Sequence, residues 1–388
     1  MTQIKIAVVG VGVMGSQHAR DIDALENTKL AGICDINQNK ADKYASQYDV
    51  PVFYHYQDML ENADLDAVVI ATPHDSHPPI AMDAFERGIH VLTEKPIAVH
   101  LQAAQEMIVA YAKALDKYPH LLFAAMFQQR TYGFWQKIKS LIDDGELGKL
   151  MRTTWIITDW FRTQSYYDNG GWRATWKGEG GGVLLNQCPH NLDLYQWFVG
   201  MPKRVAGFAA IGKYHNIEVE DEVTAYLEYE NGMIGHLITS TAESPGTNRL
   251  EIVGEKGKLT FENDEMTFYR NRVSTFDYIE TSISGYEPVE NWKIDMPYQH
   301  HGQPGHKLII ENFANALLNG EELVAPAVEG IHSLTLGNAI MMSSFLGQRI
   351  ELPMDGEEYA AKLQDLIDNS HFEKTVVERD VTDVGSSF

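Results

Sequence analysis

Ile4-Lys5-Ile6-Ala7-Val8-Val9-Gly10-Val11-Gly12-Val13-Met14-Gly15 decides how the first part of the chain folds. The six residues before Gly10 are β-formers with few polar interruptions, as expected of a parallel strand buried on both faces. Three glycines in G-x-G-x-x-G spacing follow at once, and a helical pattern starts near Met14. On its own such a triplet is a weak signal. Here a strand precedes it, a helix follows it, and a second strand, Leu30–Cys34, ends in Asp35, twenty positions beyond Gly15. In that context the three glycines have distinct roles. Gly10 permits the tight turn, Gly12 lets the backbone approach a pyrophosphate, and Gly15 lets helix and strand pack closely. The helix N-terminus offers N–H donors and positive dipole to the phosphates. Asp35 is placed to bind both adenosine ribose hydroxyls and to repel a 2′-phosphate. Ile36-Asn37-Gln38-Asn39 contains no arginine to rescue one. The expected cofactor is therefore NAD rather than NADP, with Gly10, Gly12, Val13, Met14, Gly15 and Asp35 in its binding site.

The alternation of strand and helix continues outward from this cradle. Strands are predicted at Val50–Phe53, Asp66–Ala71, His90–Leu92 and Leu121–Phe127, with helices over about Pro79–Arg87 and Val99–Leu115. This makes a doubly wound, Rossmann-type parallel sheet over residues 1–127. Ligands of such sheets sit at the carboxyl ends of the strands. Two strand ends are chemically loaded: Ala71-Thr72-Pro73-His74-Asp75-Ser76-His77 and Thr93-Glu94-Lys95-Pro96. Ala71, Thr72, Pro73, His77 and Glu94 are accordingly expected at the cofactor. A histidine in the first segment either touches the nicotinamide ribose or caps the following helix.

Beyond Gln128 the texture changes. A helix at Phe134–Asp143 leads into strand-like runs at Leu150–Trp160, Arg204–Ile211, Val223–Tyr229, Met233–Thr241, Arg249–Val253, Lys258–Phe261 and Met266–Tyr269. Asn231-Gly232 is a hairpin signal. Consecutive strands with few helices predict a large, mostly antiparallel open sheet over residues 128–354, covered by helices on one face. The other face is a candidate subunit interface, so a homodimer or homotetramer is expected. Residues 272–306 read as an irregular functional or interface loop. Residues 355–388 form a C-terminal segment with a polar tail, disordered from about Asp380.

Length and composition agree with two units. The chain has 388 residues, 44 % hydrophobic and 22 % charged, too many for one ordinary core. With 31 basic against 54 acidic residues it carries −23, which argues against nucleic acid or an anionic membrane as partner. Cys34 and Cys188 are the only cysteines, so no disulfide framework exists and a reduced, cytoplasmic setting is expected. Met1-Thr2-Gln3 has no basic leader, and no stretch of about 18 uncharged apolar residues suggests a membrane span.

The second half of the site is read at Gly180-Gly181-Gly182-Val183-Leu184-Leu185-Asn186-Gln187-Cys188-Pro189-His190. A helix predicted over Gln187–Val199 would place Asn186 and His190, at i and i+4, on one face. Lys95 at a strand end and His190 on a helix can converge on one substrate hydroxyl.

The order G-x-G-x-x-G, acidic strand end, Ala-Thr-Pro, Glu-Lys-Pro, Trp-Arg, Gly-Gly-Gly and a late helix histidine resembles the Gfo/Idh/MocA oxidoreductases over roughly residues 4–350. The resemblance implies NAD(P), a sugar or cyclitol substrate, and Lys95 with His190 as catalytic residues. It also implies that Glu94 and Pro96 shape the turn presenting Lys95, and that Trp172 and Arg173 border nicotinamide and substrate. Substrate contacts are then expected from Lys95, Arg173, Asn186, His190 and His306. One departure matters: many members carry Asp where this chain has Asn186. A carboxylate there would raise the histidine pKa by about 1–3 units, which an amide cannot do. His190 is then either a weaker base or part of a ligand sensor.

The expected reaction is oxidation of a secondary alcohol, with His190 taking the proton and Lys95 stabilising the alkoxide or relaying the proton. A redox-neutral enzyme using tightly held NAD for elimination or epimerisation is the alternative; a sugar-responsive regulator is the second. Other features receive plainer readings. His300 to His306 matches no zinc spacing, so no metal site is expected. Glu218–Glu222 reads as a solvated acidic run, and Cys188 as packing. Tyr132, Trp160, Tyr166 and Trp176 are stacking candidates better suited to core duty.

Overall fold

A computed structural model describes residues 2–377 except 301 and 303; the tail expected to be disordered from Asp380 lies outside them. The chain forms two sheets. The first alternates β1 (Ile4–Val9), α1 (Val13–Asp23), β2 (Thr28–Cys34), α2 (Gln38–Tyr48), β3 (Val52–Phe53), α3 (Tyr56–Asn62), β4 (Ala67–Ile70), α4 (His77–Glu86), β5 (His90–Thr93), α5 (Leu101–Lys117) and β6 (Phe123–Ala125). The strand order is β3-β2-β1-β4-β5-β6, every neighbour parallel. The order reverses between β1 and β4, which opens a crevice at their carboxyl ends. Ile6, Ala7 and Val8 of β1 are fully buried, as are all four residues of β4. β3 is shorter than expected because Pro51 has no N–H for the ladder, although its carbonyl accepts from Ile33 N at 3.0 Å.

The second part contains α6 (Gly133–Asp143), β7 (Leu150–Ile157), α7 (Gln164–Asp168), α8 (Pro189–Val199), β8 (Arg204–Ile211), β9 (Glu220–Glu228), β10 (Ile234–Ser240), β11 (Asn248–Gly254), β12 (Gly257–Glu262), β13 (Glu265–Asn271), α9 (Thr275–Thr281), β14 (Asn291–Asp295), α10 (His306–Asn319), α11 (Gly330–Leu346), β15 (Ile350–Glu351) and α12 (Gly356–Asp368). Its strands make one nine-stranded sheet, β14-β13-β12-β11-β7-β10-β9-β8-β15. All pairs are antiparallel except β7 with β10. Alternation sets the faces: Val223, Ala225 and Leu227 of β9, Leu237 of β10 and Trp155 and Ile157 of β7 point into a core with α6, α8 and α11. The outer face is polar near its centre, where Glu251 pairs with Arg152, Arg249 and Lys258. At β8 it exposes Phe208.

Two expectations are corrected here. Residues 272–306 are not wholly irregular, since α9 and β14 lie within them and β14 extends the sheet beside β13. α8 starts at Pro189, not Gln187, because proline suits the first helical position, where its missing N–H costs nothing. α10, although late in the chain, packs on the first sheet through Ile309, Ile310 and Phe313. Among the described residues no helix is long and apolar enough to cross a membrane.

Candidate active site

The glycine turn after β1 has the geometry its spacing promised. Gly10 sits at φ +87°, and a Cβ there would lie 2.6 Å from the Ala71 carbonyl oxygen. A Cβ on Gly15 would come within 1.8 Å of the Gly10 carbonyl oxygen. Gly12 differs: a Cβ there meets nothing within 4 Å, so its backbone faces open space at the start of α1, as a pyrophosphate site requires. Val13 and Met14 form the first turn of α1. Asp35 accepts from Val11 N and Asn37 N, both at 2.8 Å, one through each oxygen. It therefore orders the turn, and each oxygen keeps a second lone pair for a hydroxyl.

At the end of β4, Ala71 packs against Gly15, and Thr72 Oγ1 is buried without a hydrogen-bond partner among the described residues. Pro73 leads into a short 3-10 turn with His74, whose ring meets Trp172 edge-on at 5.5 Å. His77, expected at the cofactor, turns both ring nitrogens toward backbone carbonyls. His77 Nε2 lies 2.9 Å from Thr72 O and Nδ1 2.8 Å from Pro96 O, so the ring ties the two strand-end turns together. It is the first residue of α4, not its cap.

Those turns present the charged centre. Glu94 is buried; Oε1 lies 2.7 Å from His18 Nε2 and Oε2 accepts from Lys95 N at 3.1 Å. Burial pushes its carboxyl up, but the bond to His18 and the nearby His306 and Lys95 outweigh it and hold the group well below the usual carboxylate range. Lys95 Nζ donates to the Asn186 carbonyl oxygen at 3.1 Å, joining the first sheet to the turn before α8. Burial lowers the Lys95 pKa, Glu94 and Glu179 oppose that, and Arg162 and Arg173 add to it.

His190 occupies the second position of α8 and is buried. Its Nε2 lies 3.2 Å from Gln128 Nε2, and its Nδ1 is buried with no hydrogen-bond partner among the described residues. Burial, then the Lys95 charge, takes its pKa well below the ordinary imidazole value, which favours the neutral ring. Asn186 is not on its helix face but in the turn three residues before α8. There Nδ2 donates to Glu179 and lies 3.5 Å from Tyr166 Oη. Glu179 Oε2 accepts from Ala174 N at 2.6 Å, and burial raises its pKa. Trp172 and Arg173 lie on the loop after α7, with the Arg173 guanidinium 4.7 Å from the Trp172 ring centre. His306 begins α10 close to Glu94, 5.7 Å from His18 ring to ring, and burial brings its pKa to about 4.

The glycine-rich turn is held from an unexpected quarter. Glu220 is 1 % exposed and Asp221 fully buried, so the 218–222 run is not a solvated face. Glu220 Oε2 accepts from Gly182 N at 2.8 Å and Oε1 from Leu184 N at 3.0 Å, and burial pushes its pKa to about 7. A Cβ on Gly182 would lie 1.9 Å from the Glu220 carbonyl oxygen. Cys188 packs against Thr239 Oγ1 at 3.0 Å with its thiol pushed up to about 12 by burial, in keeping with a packing role. The sequence reading missed His18, Gln128, Glu179 and Lys374. Glu179 lies on the loop just before Asn186, in a run whose glycines drew the attention. The other three act across long separations: Lys374 Nζ, for one, donates to Arg173 O at 2.5 Å, and nearby Val377 N donates to Asp168 O at 2.9 Å. Among the described residues no group of three or more His, Cys, Asp or Glu is placed to hold a metal ion.

The residues present fit a dinucleotide: open backbone at Gly12, a helix N-terminus beside it, Asp35 at the ribose end, and buried unpartnered Thr72 Oγ1 and His190 Nδ1 toward the other end. Fold and site together define an NAD-binding oxidoreductase. Residues 4–118 match the family model of the oxidoreductase family with NAD-binding Rossmann fold, and residues 135–260 that of the GFO/IDH/MocA C-terminal domain; the chain belongs to this family. It is 23 % identical over 368 residues to scyllo-inositol 2-dehydrogenase (NAD(+)) of Bacillus subtilis, covering 90 % of this chain and 96 % of that one. The alpha-N-acetylgalactosaminidase of Shewanella oneidensis is 23 % identical over 69 % of this chain and 55 % of its own length. Among solved structures, the WlbA dehydrogenase of Bordetella pertussis in complex with NADH and UDP-GlcNAcA superposes with a TM-score of 0.75 at 28 % identity, covering 91 % of this chain and all of that one.

Proposed function

We propose that the protein oxidises a secondary hydroxyl of a sugar, glycoside or cyclitol, with His190 as general base and Lys95 as the group that stabilises or relays charge on the substrate oxygen. The observation that carries this reading is the bond from Lys95 Nζ to Asn186 O, which brings a buried ammonium from the carboxyl end of β5 to the turn leading into His190. Bound NAD supplies the hydride acceptor. The protein then has three parts to play. His190, neutral in its buried setting, takes the hydroxyl proton. Lys95 donates a hydrogen bond to the oxygen as it gains negative charge, a preorganised contact that need not be built during the reaction. Asn186, fixed by Glu179, orients a neighbouring hydroxyl. The inositol dehydrogenase and WlbA relatives support the substrate class, and Asp35 supports NAD over NADP.

The Shewanella relative favours a second reading in which the same groups oxidise a sugar transiently and the reducing equivalents return before release. The two are separated by following reduced nicotinamide with NAD and a panel of inositols, aldoses and glycosides. Multiple turnovers that disappear in Lys95→Ala and His190→Ala support the dehydrogenase. Product without accumulated NADH supports the redox-neutral reading. Phe208, exposed on the outer face of the second sheet, supports assembly as a homodimer or homotetramer through that face.

A further inference from the structure

Arg162 and Arg173 both lie against Tyr166, beside Asn186, in a protein whose net charge is −23. Both guanidinium carbons lie 5.0 Å from the centre of the Tyr166 ring, and the Tyr166 hydroxyl lies 3.5 Å from Asn186 Nδ2. Arg162 also lies 5.6 Å from the Trp160 ring centre. The hydrogen bonds they make are few and local: Arg162 Nη1 to Phe161 O at 2.9 Å, and Arg173 Nη1 to Asn169 O at 3.4 Å. The Nε of each is buried with no partner among the described residues. Among the same residues, neither forms an ion pair with a carboxylate. Arg130 shows what a committed structural arginine looks like here: it grips Asp193 with two bonds, at 2.7 and 2.6 Å, and also reaches Glu329.

The carboxylates that Arg162 and Arg173 do feel are engaged elsewhere. Asp159 accepts from Asn248 Nδ2 at 3.0 Å, and Glu179 is taken by Ala174 N and Asn186. Lys374, bonded to the Arg173 carbonyl, adds a further cation, and Lys95 lies close enough to feel both arginines. A buried donor left unpaired is costly, and a guanidinium's planar fork matches carboxylate and phosphate oxygens. The pyrophosphate of the cofactor is provided for separately, at Gly12 and the start of α1.

We propose that the substrate is an anionic polyol, a sugar or cyclitol bearing a carboxylate or phosphate, whose oxyanion is received by Arg162 and Arg173 while its secondary hydroxyl lies between Lys95 and His190. This rests on the polyol-oxidising reading above and narrows it. The test is calorimetric titration of the full chain, saturated with NAD, with matched ligands: glucose, glucuronate, gluconate and a hexose phosphate, then myo-inositol and an inositol phosphate. An anionic member is expected to bind about tenfold or more tighter than its neutral parent, and less so as salt is raised. Arg162→Gln and Arg173→Gln should erase that advantage, Arg162→Gln leaving NAD affinity unchanged, and Arg162→Lys and Arg173→Lys, which keep the charge, should restore part of it. Whether carboxylate or phosphate wins names the anion.

Equal binding of neutral and anionic ligands, an anion preference that survives both Gln variants, or loss of NAD affinity in Arg162→Gln would each overturn the proposal. The readout needs no turnover, so the two ideas fail separately. Turnover of a neutral polyol that depends on Lys95 and His190, with no preference for an anion, removes this inference and keeps the proposed function. Anion binding without any reduction of NAD keeps the arginine site and counts against the dehydrogenase.

Discussion

The two halves of the site are built by different means. The cofactor half is made of backbone: a glycine turn, a helix start and strand ends, fixed by contacts between residues close in sequence or on adjacent strands. The half proposed to receive the substrate is made of side chains that reach across long stretches of chain: Lys95 to Asn186, Glu220 to Gly182 and Leu184, and Lys374 to the loop of Arg173. A backbone site tolerates little change and serves one ligand. A site assembled from side chains on loops can change its ligand one residue at a time while the scaffold stays.

Substitutions can break or sharpen that contrast. The largest effect should come from Lys95→Ala and His190→Ala, each lowering kcat by about 10²–10⁴-fold while NAD affinity, measured by fluorescence titration, stays near wild type. A matching loss of NAD binding would mean the halves are not separable. Gly15→Val should do the reverse, abolishing NAD binding because its Cβ would press on the Gly10 carbonyl oxygen, and lowering stability by about 1–3 kcal/mol by thermal denaturation. Next comes Glu179→Gln, which removes the carboxylate that fixes Asn186 and lowers its charge support for Lys95. A fall in kcat of about tenfold with unchanged NAD affinity is expected.

The pH profile tests the same charges without mutation. Burial lowers the His190 pKa well below 6.5, so the base stays deprotonated, and kcat/KM should hold until the pH falls well under that value. Burial also lowers the Lys95 pKa from 10.5, so its ammonium, and the rate, should be lost on the alkaline side before that pH. The smallest effect is expected from Asp35→Ala, which should weaken NAD by about tenfold and narrow its preference over NADP, read from KM ratios.

Much of the cofactor half was legible because its requirements fall on single residue types in fixed order: glycine where a Cβ collides at Gly10 and Gly15, an acid at the end of β2, buried aliphatics in β1 and β4. Lys95 and His190 were legible as chemistry-bearing residues at element ends. What escaped depended on distance or on exact helix limits. Asn186 was placed on α8 by periodicity, but Pro189 sets the helix start. Glu220 and Asp221 looked like surface charge, yet they are buried by the backbone N–H groups they satisfy at Gly182, Leu184, Lys213 and Tyr214. His18 gave no sign of Glu94 as its partner, because nothing in a sequence pairs residues 76 apart.

The return of α10 to the first sheet sets an order of events during synthesis. Ile309, Ile310 and Phe313 fill that sheet's core, Asn27 Nδ2 bonds Asn315 Oδ1 at 2.8 Å, and Ala125 N on β6 bonds Ala325 O at 3.0 Å. A ribosome delivers all six parallel strands, then the strands of the larger sheet through β14, before it delivers α10. Throughout that interval the nascent cradle carries an uncovered apolar flank and an unpaired strand edge. The first sheet's exposure to chaperones and to aggregation therefore lasts while the second sheet is being translated, and it ends when α10 and the strand-edge cover at Ala325 emerge.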